Sequence, residues 1–161
     1  LDKTININLE HKKDNMIFIN KQKMNKEEIK YAKAMLDKVS VVKEGVAAGK
    51  IGFKAMHDIT EGGVLGAVWE MATVTGLGAE IEERLIPVDN ITKKVCDGYG
   101  VDVLRLISSG SMLIIASPDK EKALKEEIGE ITCIGKLTDK GIIMDGKEIA
   151  PPGSDEIYRV V

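Results

Sequence analysis

Cysteine, aromatic residues and long apolar runs are all scarce in this 161-residue chain, and each shortage removes a class of protein. Two cysteines, Cys96 and Cys133, are too few for a disulfide framework and form no C-x-x-C pair; both read as small buried hydrophobes in a reducing compartment. Apolar runs such as "MLIIA" (112–116) fall far short of the roughly 20 residues that a membrane span needs, and nothing at the start resembles a signal peptide. The expectation is a cytoplasmic protein with no membrane partner. One Trp, two Phe and three Tyr leave little for base stacking, and the lysines, even the cluster Lys21, Lys23 and Lys26, are scattered among acids. A solvated face, with no nucleic-acid partner, is the simpler reading. Of the two histidines, His11 and His57, neither joins a zinc-spaced cluster; no metal site, Gly-x-Ser-x-Gly elbow or acid–base carboxylate pair declares itself.

What is present is a globular balance, 43% hydrophobic and 30% charged, in a length that suits one domain over 1–161. The net charge of -3 is uneven, since residues 1–50 carry eleven lysines against seven acids and the remainder is acidic. No repeat, low-complexity tract or linker divides the chain.

Residues 1–23 hold two strand-like patches, "TININ" (4–8) and "MIFIN" (16–20), and their role is open. A start at Leu1 rather than Met suggests a fragment. From Asn25 the pattern turns helical: Asn25 caps, Glu27 and Glu28 suit the first turn, and Ile29, Ala32, Met35 and Leu36 recur at helical spacing. Ser40 is placed as the cap of a second helix ending at Gly49. Strands and helices then interleave: "FKAMH" (53–57), helix 62–75, "GAEIE" (78–82), helix 90–98, "SMLIIAS" (111–117), helix 119–128, and "TCIGKL" with "GIIMD" as a closing strand pair. Short returns at "TDKG" and "DGKE" favour antiparallel pairing. The predicted class is α+β, a mixed and largely antiparallel sheet with packed helices.

The stretch "HDITEGGVLGAVWEMA" (57–72) puts an acid, a hydroxyl and a Gly-Gly pair before an apolar helix. Helix starts carry unpaired N–H groups and partial positive charge, and glycines let an anion approach the backbone. Asp58, Thr60, Glu61, Gly62 and Gly63 are therefore a candidate phosphate site, although plain capping by Asp58 or Thr60 is the simpler reading of the residues alone, since neither GxxxxGK[ST] nor GxGxxG spacing is present. Gly63, Gly66 and Glu70 share a stripe beside the apolar Val64, Val68 and Ala72 and Leu65 and Trp69. The two glycines predict close approach to another element, and Glu70 is expected in a narrow place, contacting a ligand or neighbouring backbone. A second cluster, Ser108, Ser109, Gly110 and Ser111, either meets an anion or simply turns the chain into a strand.

Several motifs recur in order: "AMHDITEGGVLGAVWEMA", "LIPV", "CDGYGVDVLRLISSGSMLIIA", "IGKL" and "PPGSDEIYRV". Over roughly residues 24–160 they resemble the C-terminal domain of the AIR synthase-related superfamily, especially proteins similar to hydrogenase maturation factor E. The superfamily includes aminoimidazole ribonucleotide synthase, formylglycinamide ribonucleotide amidotransferase, selenophosphate synthetase and thiamine-phosphate kinase, which use ATP. The resemblance implies an AIR synthase C-terminal-like fold whose D-x-[ST]-x-G-G turn, here Asp58 to Gly63, closes over the phosphate or substrate end of the active site. It also implies ATP and Mg2+ as cofactors of the whole protein, held mostly by an N-terminal domain, missing here, that also forms a homodimer.

Three departures stand out. Glu61 occupies the place where the maturation factor usually has Arg, "SSGS" stands in place of its Asn-Glu-Gly sequence, and the ending "DEIYRVV" lacks its Pro-Arg-x-Cys tail. The reading is a C-terminal domain contributing to an ATP-dependent site, inactive by itself; the alternative is a non-catalytic anion-binding or protein-interaction domain.

Overall fold

A computed structural model describes residues 18–19 and 22–160. Strands β1 (Phe18–Ile19) and β2 (Gln22–Lys23) pair antiparallel, so "MIFIN" contributes two strand residues, while "TININ" lies outside the described residues. Helix α1 (Lys26–Ala34) begins as expected: Asn25 Oδ1 accepts from the Glu28 amide at 2.9 Å and Glu28 Oε2 accepts from the Asn25 amide at 2.8 Å. This reciprocal capping satisfies two N–H groups that the helix cannot pair internally.

Helix α2 (Val42–Ile51) departs from expectation at both ends. Val41 stands at the cap position and no side chain closes the start, so Ser40 is not the cap. Gly49 does not end the helix either; its missing side chain would point into open space, and a helical glycine costs only about 1 kcal/mol. The stop is Gly52, at a φ of 103° that residues with a Cβ avoid.

The remaining expected elements fall close to their places: β3 (Ala55–Asp58), α3 (Gly63–Thr75), β4 (Gly78–Ile81), α4 (Asn90–Tyr99), β5 (Met112–Ile115), α5 (Glu121–Ile128), β6 (Gly135–Thr138) and β7 (Ile142–Met144); β8 (Lys147–Glu148) is an additional short strand inside the stretch "DGKE" read as a return. Helix α5 is shorter than expected because Pro118–Lys120 forms a separate 3-10 turn. Strand β3 pairs antiparallel with β5, and a four-stranded mixed sheet runs in the order β6-β4-β7-β8. The predicted α+β class holds.

One pairing is corrected. β6 and β7 are not neighbours: β4 lies between them, antiparallel to β6 and parallel to β7. The link "TDKG" therefore crosses the start of β4 instead of closing a hairpin, and Gly141 O accepts from the Ala79 amide at 2.8 Å. Gly78 makes the crossing feasible, since a Cβ there would lie 2.2 Å from Gly141 O. The return at "DGKE" is a true hairpin, with Asp145 and Gly146 both at positive φ between Met144 and Lys147; twisted two-residue turns demand that backbone.

Leu65, Val68 and Ala72 of α3 pack on Ala79 and Ile81 of β4, with Leu104 and Ile149 completing the main core. Each large side chain so buried contributes roughly 1.5–3 kcal/mol. A second cluster joins Met24, Ala32 and Val95, tying α1 to α4. Cys96 is buried as expected, whereas Cys133 is exposed, which corrects the reading of both as core residues. Among the described residues no helix is long and apolar enough to cross a membrane.

Candidate functional site

The β3–β5 ladder joins the two candidate clusters. Asp58 pairs with Met112, and the Ile59 amide donates to Ser111 O at 2.8 Å, so the 58–63 and 108–111 turns leave the ladder at the same end. Asp58, Thr60 and Glu61 are exposed there, while Ile59 is buried beneath them.

The Gly62 and Gly63 amides are already occupied. Gly62 N–H donates to Asp155 Oδ2 at 2.6 Å, and Gly63 N–H donates to Thr60 O at 3.1 Å. Asp155 is a buried carboxylate whose Oδ1 also accepts from the Ile157 amide at 2.8 Å. A carboxylate is the ligand that a positive helix start prefers, and the chain supplies it from its own C-terminal segment. An oxyanion at these two amides is thus excluded in this arrangement, and Asp58 and Thr60 do not cap α3 either. What the turn offers outward is side chains.

The two glycines serve packing. A Cβ on Gly63 would lie 2.5 Å from Leu104 O and 2.7 Å from Leu106 O, and one on Gly66 would lie 3.3 Å from Glu61 O. Close approach at the start of α3 is therefore real, and the 103–106 segment is what approaches. Gly110 likewise lets the serine turn touch Lys38 O, 2.7 Å from where its Cβ would be. Ser111 N–H donates to Ser108 O at 3.2 Å and the two hydroxyls lie 3.2 Å apart, the geometry of a self-contained turn. Ser109 is exposed at its tip.

Beside the turn is a pair that sequence reasoning missed. His57 Nε2 lies 2.7 Å from Glu70 Oε2, and His57 Nδ1 lies 3.6 Å from Asp58 Oδ1. Position 57 on β3 and position 70 two turns into α3 are brought together only because the helix folds back on its preceding strand. The hydrogen bond to Glu70 raises the His57 pKa, against a smaller opposing effect of burial. Glu70 is half exposed rather than confined. Asp155 was missed as well; its one local signal is an acid directly before the short helix Glu156–Arg159, which it caps.

Charge at this end of β3 is mostly negative, from Asp58, Glu61 and Glu70 with His57 among them. Among the described residues no group of three or more His, Cys, Asp or Glu could hold a metal ion. With both amides taken and carboxylates facing out, these residues do not by themselves fit a triphosphate, whose charge the carboxylates would repel unless a cation stood between them.

Comparison with known proteins agrees with this architecture. The family described as "AIR synthase related protein, C-terminal domain" matches residues 7–146. A putative hydrogenase expression/formation protein of Methanocaldococcus jannaschii is 30% identical over 132 residues, covering 74% of this chain and 38% of the relative. The crystal structure of Escherichia coli HypE, a hydrogenase maturation protein, shares the fold with a TM-score of 0.65 and 24% identity over 75% of this chain and 42% of that one. A structure of HypE in complex with ATP does so at 0.52 and 16%, over 83% and 42%. The chain thus spans less than half the length of each of these proteins, and it belongs to the AIR synthase-related C-terminal domain family.

Proposed function

We propose that the chain is the C-terminal part of a hydrogenase maturation factor E-like protein, and that its Asp58–Gly63 turn lines the phosphate or substrate side of an ATP-dependent active site. The observation that carries this reading is the β3–β5 register, which brings the turn of the D-x-T-x-G-G motif and the Ser108–Ser111 turn to one strand end. Membership of the family and the ATP complex of a protein of like fold support it.

In this reading the nucleotide and its Mg2+ are held by an N-terminal domain, through which the whole protein dimerises in the cytoplasm. This chain contributes a wall, with Asp58, Thr60, Glu61 and Ser109 facing the cleft. Asp155 and the two glycines hold the turn's shape.

Phosphoryl transfer is mostly positioning and charge neutralisation around the triphosphate. The chain presents neither a P-loop lysine nor free amides at the turn. The purified chain is therefore expected to show no ATP turnover. Activity appears when an N-terminal ATP-binding domain of the family is joined or added, and falls when Asp58→Ala is introduced. Turnover by the chain alone, abolished by Asp58→Ala, overturns this division of labour.

One observation favours the alternative of a non-catalytic interaction domain: the chain's own Asp155 fills the anion position at Gly62. Under that alternative the added domain yields binding and no turnover.

A further inference from the structure

The two carboxylates beside His57 meet its ring in different ways. Glu70 Oε2 lies 2.7 Å from Nε2, within hydrogen-bond range, whereas Asp58 Oδ1 lies 3.6 Å from Nδ1, just beyond it. The Asp58 side chain is 64% exposed, and among the described residues this nitrogen is its one polar neighbour. What holds Asp58 in place is therefore whatever Nδ1 offers it.

Proton counting fixes what that is. An ionised carboxylate only accepts hydrogen bonds, so the contact with Glu70 needs a proton on Nε2 whether the ring is charged or neutral. A neutral imidazole carries one N–H; with Nε2 committed to Glu70, Nδ1 bears a lone pair and faces the Asp58 oxygen as acceptor against acceptor. The imidazolium carries a second N–H at Nδ1, and the same contact becomes a charge-assisted hydrogen bond that a small turn of the carboxylate closes. One proton, exchanged with solvent at a ring that is 28% exposed, changes the sign of the contact on Asp58. No other charge blurs this. Among the described residues around the ring, the charged groups are Glu70 from α3 and Asp58 from its own strand; β5 sets Leu113 opposite it, and α2 brings Val41, Val42, Gly45 and Val46 to the groove they share.

We propose that Glu70 and His57 are positioning residues for Asp58: the imidazolium holds its carboxylate against the end of β3, and the neutral ring, kept in the Nε2–H form by Glu70, releases it outward. The hydrogen bond to Glu70 lifts the switching pH above the ordinary histidine value. The consequence for turnover rests on the reading of the 58–63 turn as a wall of the active site; the contacts themselves do not.

NMR of the 161-residue chain between about pH 5 and 9 tests it. Imidazole nitrogen shifts should show the neutral ring protonated on Nε2, and the three-bond couplings that report the Asp58 χ1 angle should pass from one dominant rotamer to an averaged mixture at the midpoint of the ring's titration. Glu70→Gln lets the neutral ring place its proton on either nitrogen, because an amide both donates and accepts, so the change at Asp58 should shrink by about half or more. His57→Arg, a permanent cation, should hold one Asp58 rotamer throughout. Couplings that stay constant through the ring's titration overturn the proposal, as does a neutral ring protonated on Nδ1 or a Glu70→Gln chain that behaves as the wild type. With an N-terminal ATP-binding domain joined, kcat should fall as pH rises through the same midpoint, and His57→Arg should remove that limb. Turnover without the limb overturns the consequence for the reaction. A joined protein with no turnover counts against the active-site reading alone, and the couplings in the 161-residue chain still decide the proposal.

Discussion

Replacing Asp155 by Ala should destabilise the protein far more than its surface loop position suggests. The carboxylate is only 4% exposed and is the acceptor for two amides, Gly62 at 2.6 Å and Ile157 at 2.8 Å. Alanine leaves both N–H groups without an acceptor, and a buried donor so stranded costs about 1–3 kcal/mol. Relaxation and entry of water recover part of this, so the expected loss is about 2–5 kcal/mol, a large share of the roughly 5–15 kcal/mol that holds a domain together. With a urea slope of about 1–3 kcal/mol per molar, the unfolding midpoint should fall by about 1–2 M at unchanged slope. Asp155→Asn keeps one oxygen acceptor and should fall about half as far. Hydrogen exchange at the Gly62 amide supplies a local readout, since its protection should drop in Asp155→Ala before global unfolding is reached. A midpoint shift within about 0.2 M, with Gly62 protection intact, would refute the assignment of Asp155 as the carboxylate that closes the start of α3.

His57 should titrate above the ordinary histidine range, and Glu70→Gln should bring its midpoint down, both read from the imidazole proton resonances. The stabilising effect of the pair is present below the unfolded-state value near 6.5 and is lost as pH rises through the higher folded value, so the stability gap between wild type and Glu70→Gln should close at alkaline pH. A gap that widens with pH would show that the charge pair is not its source. Gly63→Ala should cost on the order of 3 kcal/mol in chemical denaturation, because a Cβ would strike two carbonyl oxygens and the φ is 62°, whereas Gly66→Val should cost about 1–3 kcal/mol; equal tolerance at both positions would contradict the packing. In a thiol-labelling assay Cys133 should react at once and Cys96 only on unfolding, since burial shields Cys96 and pushes its pKa up to about 11.

Much of this architecture was legible in the sequence because local signals and long-range packing agree there. Asn25 and Glu28 spell a capping box in four residues, the spacing of Leu65, Val68 and Ala72 marks the buried side of α3, and Asp145-Gly146 spells a tight hairpin turn. The same is true of the candidate turn, whose glycines announced a close approach at the start of α3. Other features depend on partners that are distant along the chain. Whether β6 meets β7 or β4 is decided by which edge of a strand laid down far earlier is free, and no window around "TDKG" contains that information. Ser40 and Gly49 looked like helix boundaries by residue type, yet the helix runs where packing against the rest of the molecule carries it. The site shows the division most clearly. Residues 58–63 by themselves specify a helix start with unpaired amides and room for an anion, because glycine leaves the backbone open. Only the folded chain brings Asp155, 93 residues on from Gly62, to fill that position, and sets Glu70 against His57. A local motif determines which groups are available; tertiary structure decides what satisfies them, because an unpaired buried amide takes the nearest acceptor that the whole fold supplies.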